Sequence, residues 1–563
     1  MKKLILILTA AVMAVSCSDN LEELNQNIKD PTAVSGESLF SSAQKQLADQ
    51  FVTPNVNLNN NRLWVQYLQE TTYTDESNYD QVTRAIPDNH WREMYRDVLK
   101  DLDEASQIIA ANEDPITSES NENKLAIIEI LTVFSYSNLV ETYGDVPYTE
   151  ALDIENLLPK YDDAKTIYAD LIVRLTAAQG KLNASNGSFT AGQDLIYGGD
   201  VDKWRKFANS LKFRMGMVLA DVDPGLSTTT VNSALEAGVF ESNADNGSYK
   251  YSAAAPNNNP MNDNLILSGR KDYVAARTII EKMKELDDPR IEKYFAGKVD
   301  LQLGEVVSVT TSGTTTTITF KDKIGLDPLP VVGVDEAYLQ GPDGRISLGV
   351  ITAMGEKTID IENITQMPAV EDIVTVFLYK GGSIGKPSPY AGNVKVNPRL
   401  TDPTEPGVLL SFVEVEFLKA EAAARGGYNI AGTAKEYYDA AITASFEFWG
   451  AEGLADYLAN PLVDYDTAIA NSTSDPKWKE VIGTQAWLGL YNRTFAAWLS
   501  VRRLDYPILT KPASAESGFP VRYTYPAQEQ TLNTTSYNAA ASAIGGDTPE
   551  TRLFWDKYYT FDF

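Results

Sequence analysis

The sequence predicts a mainly α-helical protein: a tetratricopeptide-like scaffold of helical hairpins with long loops, interrupted by one small β-rich module. Three observations carry this. Apolar residues recur three and four apart over most of the chain. Glycine and proline close these stretches, as where Gly144 and Pro147 follow Tyr143. Between about Leu301 and Tyr379 the period changes to two, and threonine replaces the helix formers.

The elements follow in order. Met1-Lys2-Lys3 is basic, and Leu4 to Val15 is apolar apart from Thr9. Small residues and then Cys17 come next. Basic, apolar, small is the order of a secretory signal peptide, and the run is shorter than the ~20 residues that span a bilayer. Ala14-Val15-Ser16-Cys17 resembles a bacterial lipobox, with alanine where leucine is commoner. Residues 1–16 are therefore expected to be a signal peptide, and 17–37 a tether lipidated on Cys17. The single cysteine of the chain is consumed as an anchor, which leaves no disulfide. More than one acyl chain is needed, since each buried CH2 contributes only ~0.8 kcal/mol.

A first helical part is expected over 38–300. "WVQYLQETTY" and "HWREMYRDVLKDLDEASQIIA" have helical spacing, the second with Asp88 or Asn89 as its cap. A long helix runs from about Asn123 to Tyr143, and "YDDAKTIYADLIVRLTAAQGKL" and "VDKWRKFANSLKFRMGMVLA" are two more. Residues 301–378 are expected to form the β-rich insert. It has a hairpin turning at Ser312-Gly313, a second around Gly355, and a strand at "DIVTVFLY". Helices resume over 379–563. There Val413, Phe417, Ala420 and Ala424 make one stripe, Gly426-Gly427 breaks it, and a second helix presents Tyr437, Ala441, Ser445 and Phe448.

Composition excludes several functions. With 77 acidic and 48 basic residues the formal charge is -29, which repels phosphate backbones and argues against nucleic-acid binding. It also argues against adhesion to an anionic leaflet by charge. His90 is the only histidine, so neither a Ser-His nor a Cys-His triad can form, nor a histidine-rich zinc site. His90 beside a helix start reads as structural. Among catalytic devices a carboxylate pair of the glycosidase type remains available. The 29 tyrosines and 8 tryptophans offer flat apolar faces with polar edges, mostly for packing.

The hairpin "LLSFVEVEFLKAEAAARG … YYDAAITASFEFWG" resembles the SusD/RagB family of Bacteroidetes nutrient-binding lipoproteins, in its second, SusD-like branch. "WRKFANSLKFRMGMVLA", "SGRKDYVAARTIIEKMKELDDPRIEKYF", "IGTQAWLGLYNRTFAAWLSVRRLDYPIL" and "LNQNIKDPTAV" are similar to family segments in the same order, across most of residues 17–563. The β-rich insert is longer than the family leads one to expect. The resemblance implies a lipid-anchored, surface-exposed outer-membrane protein that captures oligosaccharides or polysaccharides and acts as a lid on a SusC-like TonB-dependent transporter. On this reading it needs no cofactor, metal or catalytic residue. A peptide-binding importer subunit is the alternative, and a carboxylate-pair glycosidase is a further one.

The resemblance also directs attention to the loop after the first long helix and to mid-chain loops. In "TTYTDESNYD" the candidates are Tyr73, Asn78 and Tyr79; mid-chain they are Asn257, Asn258 and Tyr390, with Trp64 as a further candidate. Aromatic faces would stack on sugar rings while amides bond the hydroxyls.

Overall fold

The computed structural model describes residues 34–112, 114–323, 335–341 and 344–557. The expected signal peptide and Cys17 lie outside the described residues. Numbering the principal helices in order, these are α1 (Gly36–Val52), α2 (Ile86–Arg92), α3 (Lys100–Ala110), α4 (Ser118–Tyr143), α5 (Ala164–Lys181) and α6 (Val201–Val218). They continue with α7 (Pro224–Ala237), α8 (Arg277–Glu285), α9 (Phe412–Arg425), α10 (Ala434–Trp449), α11 (Trp478–Gly489) and α12 (Thr494–Leu504). Helices α1 and α3, α4 and α5, α6 and α7, and α9 and α10 pack in pairs, which is the helical-hairpin scaffold that the sequence predicts.

Local chemistry explains these boundaries. Asp163 caps α5 by accepting from the Thr166 N–H at 2.8 Å, and Thr433 and Glu436 form a reciprocal capping box at α10. Gly144 ends α4 at φ +92°, a conformation that costs glycine little. Gly216 lets α6 approach α7 closely: a Cβ there would stand 2.8 Å from Val231 Cγ2.

Three expectations are corrected. The "WVQYLQ" stretch does not continue as a helix. Gln66 takes φ +54°, and Leu68–Glu70 becomes strand β1, paired antiparallel with β2 (Tyr273–Ala275). Helical spacing loses here because a mid-chain partner offers the backbone a ladder. Asp88 and Asn89 lie inside α2, which starts after Ala85 with Pro87 in its first turn, where a missing N–H costs nothing. The long helix begins at Ser118, before Asn123. His90 is fully buried beside Phe495, bonded to Gln50 at 2.6 Å, and burial pushes its imidazole down to about 3, so it is neutral.

The β-rich stretch closes into a six-stranded barrel. Its strands are β3 (Val299–Ser312), β4 (Thr315–Phe320), β5 (Glu336–Gly341), β6 (Gly344–Met354), β7 (Thr358–Glu362) and β8 (Ile373–Leu378), in the order β6-β7-β4-β3-β8-β5. Closure uses two long strands, each serving two neighbours. β3 pairs with β8 along its first half and with β4 from Val306 onward, with a register shift within each pairing. β6 passes similarly from β5 to β7. Such shifts bend a strand and increase its twist. Ile318, Phe320, Ile351, Ile359, Ile361, Val374 and Val376 belong to the apolar interior, a cluster separate from the core beneath the helices. A buried ion pair, Lys284 to Asp335 at 2.6 Å, ties the barrel to α8.

Val299 at the start of β3 pairs with Leu378 at the end of β8, so the barrel enters and leaves the scaffold at one point. Replacing residues 301–378 by a short linker is expected to leave helical circular dichroism nearly intact. Cooperative loss of the helical signal would show that barrel and scaffold fold as one unit.

Candidate ligand-binding site

The β1–β2 ladder sets Glu70 opposite Tyr273. Just beyond it, the Thr71 N–H donates to Asp272 O at 2.8 Å and the Thr71 hydroxyl to Lys271 O at 2.7 Å. This pins the start of the "TTYTDESNYD" loop against 270–273. Between that junction and the 54–57 loop lies a notch of about 90 Å3. Tyr73, 76 % exposed, stands at its rim, with Asn55, Asn57 and Asn264 as amide donors and acceptors and Arg84 and Arg270 as cations. Arg270 is paired with Asp272 at 3.1 Å.

Two carboxyls meet beneath the notch. Glu70 Oε2 accepts from the Ser77 N–H at 3.1 Å, and Glu76 is paired with Arg84. Burial, then the hydrogen bond and charge of Glu76, push Glu70 up to about 9. Glu70 therefore holds its proton at neutral pH.

The remaining candidates divide by burial. Trp64 is fully buried; its indole N–H donates to Glu76 O, and its ring lies 5.3 Å from Trp498 and 5.4 Å from Tyr523. It is part of the core and offers no face to a ligand. Tyr79 is also inside, at φ +73° and edge-on to Phe519. Asn78 is spent on structure: its amide donates to Thr74 O at 2.7 Å and Gly385 O at 2.9 Å. Asn258 is buried and bonds Asn262 and Asp263. Asn78 and Tyr79 go inside because their loop folds back onto distant segments, Asn258 because its amide closes on its own turn, and Trp64 because its helix packs inward. Asn257 is exposed but does not line the notch. Tyr390 is half-buried, with Lys271 and Lys395 each 5.4 Å from its ring centroid. Tyr73 and Tyr390 thus both adjoin one segment, 270–273, Tyr73 across the notch and Tyr390 through Lys271.

Sequence reasoning missed a larger groove of about 650 Å3 along α3 and α4. Tyr136 and Tyr148 meet edge-to-face in it at 4.9 Å, and Arg174 binds Glu129 and the Tyr148 hydroxyl. Beside it Ile154, Leu157 and Leu158 are exposed. The only sequence signal was the run "DIENLLPK", where apolar residues follow no helical period.

A family model described as SusD-like, starch-binding and associating with the outer membrane, matches residues 27–322 and 364–526. The chain belongs to the SusD-like family. The unmatched interval removes β5, β6 and β7 from the aligned part, so this SusD-like protein completes its barrel with strands outside the family pattern. Among solved structures it is similar to a chitin-binding protein (24% identity, covering 93% of this chain and 100% of that one, TM-score 0.69). A chitin-binding SusD homolog from Flavobacterium johnsoniae (21%, 92% and 98%, TM-score 0.66) and a SusD homolog from Bacteroides uniformis (23%, 92% and 99%, TM-score 0.65) share the fold as well. No curated protein matches the chain.

The protonated Glu70 has a thermodynamic signature. A free glutamate loses its proton near 4.5, whereas Glu70 in the folded protein keeps it to about 9. Between these values the folded state binds the extra proton, so this residue makes stability fall as pH rises. Glu70→Gln retains the acceptor for Ser77 and a donor toward Glu76 without titrating. Its melting temperature relative to the native protein is expected to rise steadily from about pH 5 to about pH 8. A difference that does not change with pH would mean that Glu70 is ionised.

Proposed function

We propose that this SusD-like protein is a cell-surface lipoprotein, anchored through Cys17, that captures oligosaccharides and delivers them to a SusC-like TonB-dependent transporter, acting as its lid. The observation that carries the ligand reading is Tyr73: an exposed ring at the rim of a notch lined by amides and guanidiniums. Aromatic faces take sugar rings, and amides and arginines bond hydroxyls. The notch is far smaller than the ~300–1,000 Å3 of an enclosing pocket. It suits one anchored sugar of a chain that lies across the surface. The starch-binding description of the family, and the chitin-binding names of two structural neighbours, favour a glycan.

The carboxyls of the site favour binding over hydrolysis. Glycosidase pairs stand ~5–5.5 Å apart when retaining and ~6.5–9.5 Å when inverting. Glu70 and Glu76 are in hydrogen-bond contact, and Asp272 is neutralised by Arg270.

For the partner, the exposed Ile154, Leu157 and Leu158 beside the α3–α4 groove are the surface we assign. Gly36, at the start of the described chain's first helix, lies against Ala105 and Ile109 of α3. The start of the described chain and the apolar loop therefore adjoin one helix, which supports an orientation of the loop toward the membrane.

Two experiments test this. The native protein is expected to be retarded in affinity gels containing a glycan, without release of reducing ends. Tyr73→Ala should weaken that retardation at an unchanged melting temperature, whereas Trp64→Ala should cost about 3–5 kcal/mol of stability. Released reducing ends would overturn the binding reading, and retention of peptides alone would replace the glycan with a peptide ligand. In native membranes, Ile154→Asp with Leu157→Asp should abolish co-purification with the transporter, and Cys17→Ala should remove the folded protein from the surface. Surface labelling of Cys17→Ala at the native level would refute the anchor.

A further inference from the structure

The chain carries a formal charge of -29, yet two lysines beside the candidate site have no carboxylate partner among the described residues. Lys271 and Lys395 converge from different segments on Tyr390, each ammonium 5.4 Å from the ring centroid. A ring attracts an ammonium without cancelling its charge. A carboxylate in the same place would have neutralised it, and this protein has carboxylates in excess. Burial pushes Lys395 below its ordinary value and no acid opposes that effect, so its charge is partly desolvated and uncompensated. An anion arriving there would supply the missing partner.

The location matters as much as the charge. Along 270–273, Arg270, Asp272 and Tyr273 line the Tyr73 notch while Lys271 reaches Tyr390. The two sites thus share one short stretch of backbone. The distant acids that make the protein anionic weigh little here, because charges separated by more than ~8 Å are largely screened at physiological ionic strength.

We propose that Lys271 and Lys395, held on the ring of Tyr390, form a subsite for the carboxylate or sulfate of an acidic oligosaccharide whose neighbouring sugar rests at Tyr73. This rests on the glycan reading above and specifies its chemical class. A neutral glycan offers the two ammonium groups only hydroxyl acceptors, whereas a uronate or a sulfated sugar also supplies the missing countercharge.

The test is calorimetry on the full mature protein with hexagalacturonate and a heparin hexasaccharide. The fully methyl-esterified hexagalacturonate serves as the uncharged match, with chitohexaose and hexaglutamate alongside. At least one acidic sugar is expected to bind about tenfold or more tighter than the ester. That preference should fade at high salt, and Lys271→Gln with Lys395→Gln should erase it. The melting temperature of the double variant should stay unchanged, since neither lysine gives up an ion pair. An ester that binds as tightly as the acid, or a double variant that keeps the preference, overturns the proposal. Binding of chitohexaose with no binding of either acid overturns it while leaving the glycan reading in place. Hexaglutamate binding as tightly as the acidic sugars assigns the subsite to a peptide and overturns both, as does failure of every sugar to bind.

Discussion

Helices that end inside a protein leave carbonyls that water cannot reach, and in this fold arginines from elsewhere in the chain close them. Arg502 donates to Glu141 O at 2.8 Å and Arg522 to Tyr143 O at 3.0 Å, both in the last turn of α4. Arg503 reaches Met217 O at the end of α6, Arg399 reaches Phe448 O at the end of α10, and Arg62 binds Val52 O and Thr53 O at the end of α1. A buried carbonyl without a partner costs ~1–3 kcal/mol, and a cation at a helix C-terminus also meets the negative end of the dipole. The last carbonyls of α4 and α6 are therefore satisfied by residues of the C-terminal part. This links the two helical parts that the barrel separates in sequence.

That linkage lets the barrel be an addition. It has its own apolar interior, begins and ends at one point, and includes the strands that the family pattern lacks. Its last strand runs directly into the segment that carries Lys380, Tyr390 and Lys395. The barrel thus sets where that segment starts, while β2 holds its far side through the Ala275 N–H bond to Val394 O at 2.8 Å.

The site itself depends on a three-residue ladder. β1 and β2 are short, but their ladder and the Thr71 bond to Asp272 hold the Tyr73 loop against 270–273, from which Lys271 reaches Tyr390. Beneath them Glu70 keeps its proton, so the sign of the surface is decided by groups nearer the solvent: Arg270 with Asp272, and the two lysines on Tyr390.

Periodicity alone determined the helical scaffold, the β module with its turns at Gly313 and Gly355, and the end of α4 at Gly144. In each case the information is local, carried by side-chain spacing and by residues that tolerate unusual backbone angles. The absence of histidine and cysteine chemistry was equally legible, because composition needs no fold. Tertiary structure decided the rest. Leu68–Glu70 became a strand because Tyr273–Ala275 came to lie beside it, and Tyr79 and Asn78 went inside because Gly385 and Phe519 closed over their loop. Lys271 lies far in the chain from Tyr390 and Lys395, and no spacing in the sequence could reveal that they meet. Whether a tyrosine is a platform or a core residue depends on which distant segment covers it, and that is settled only when the backbone has folded.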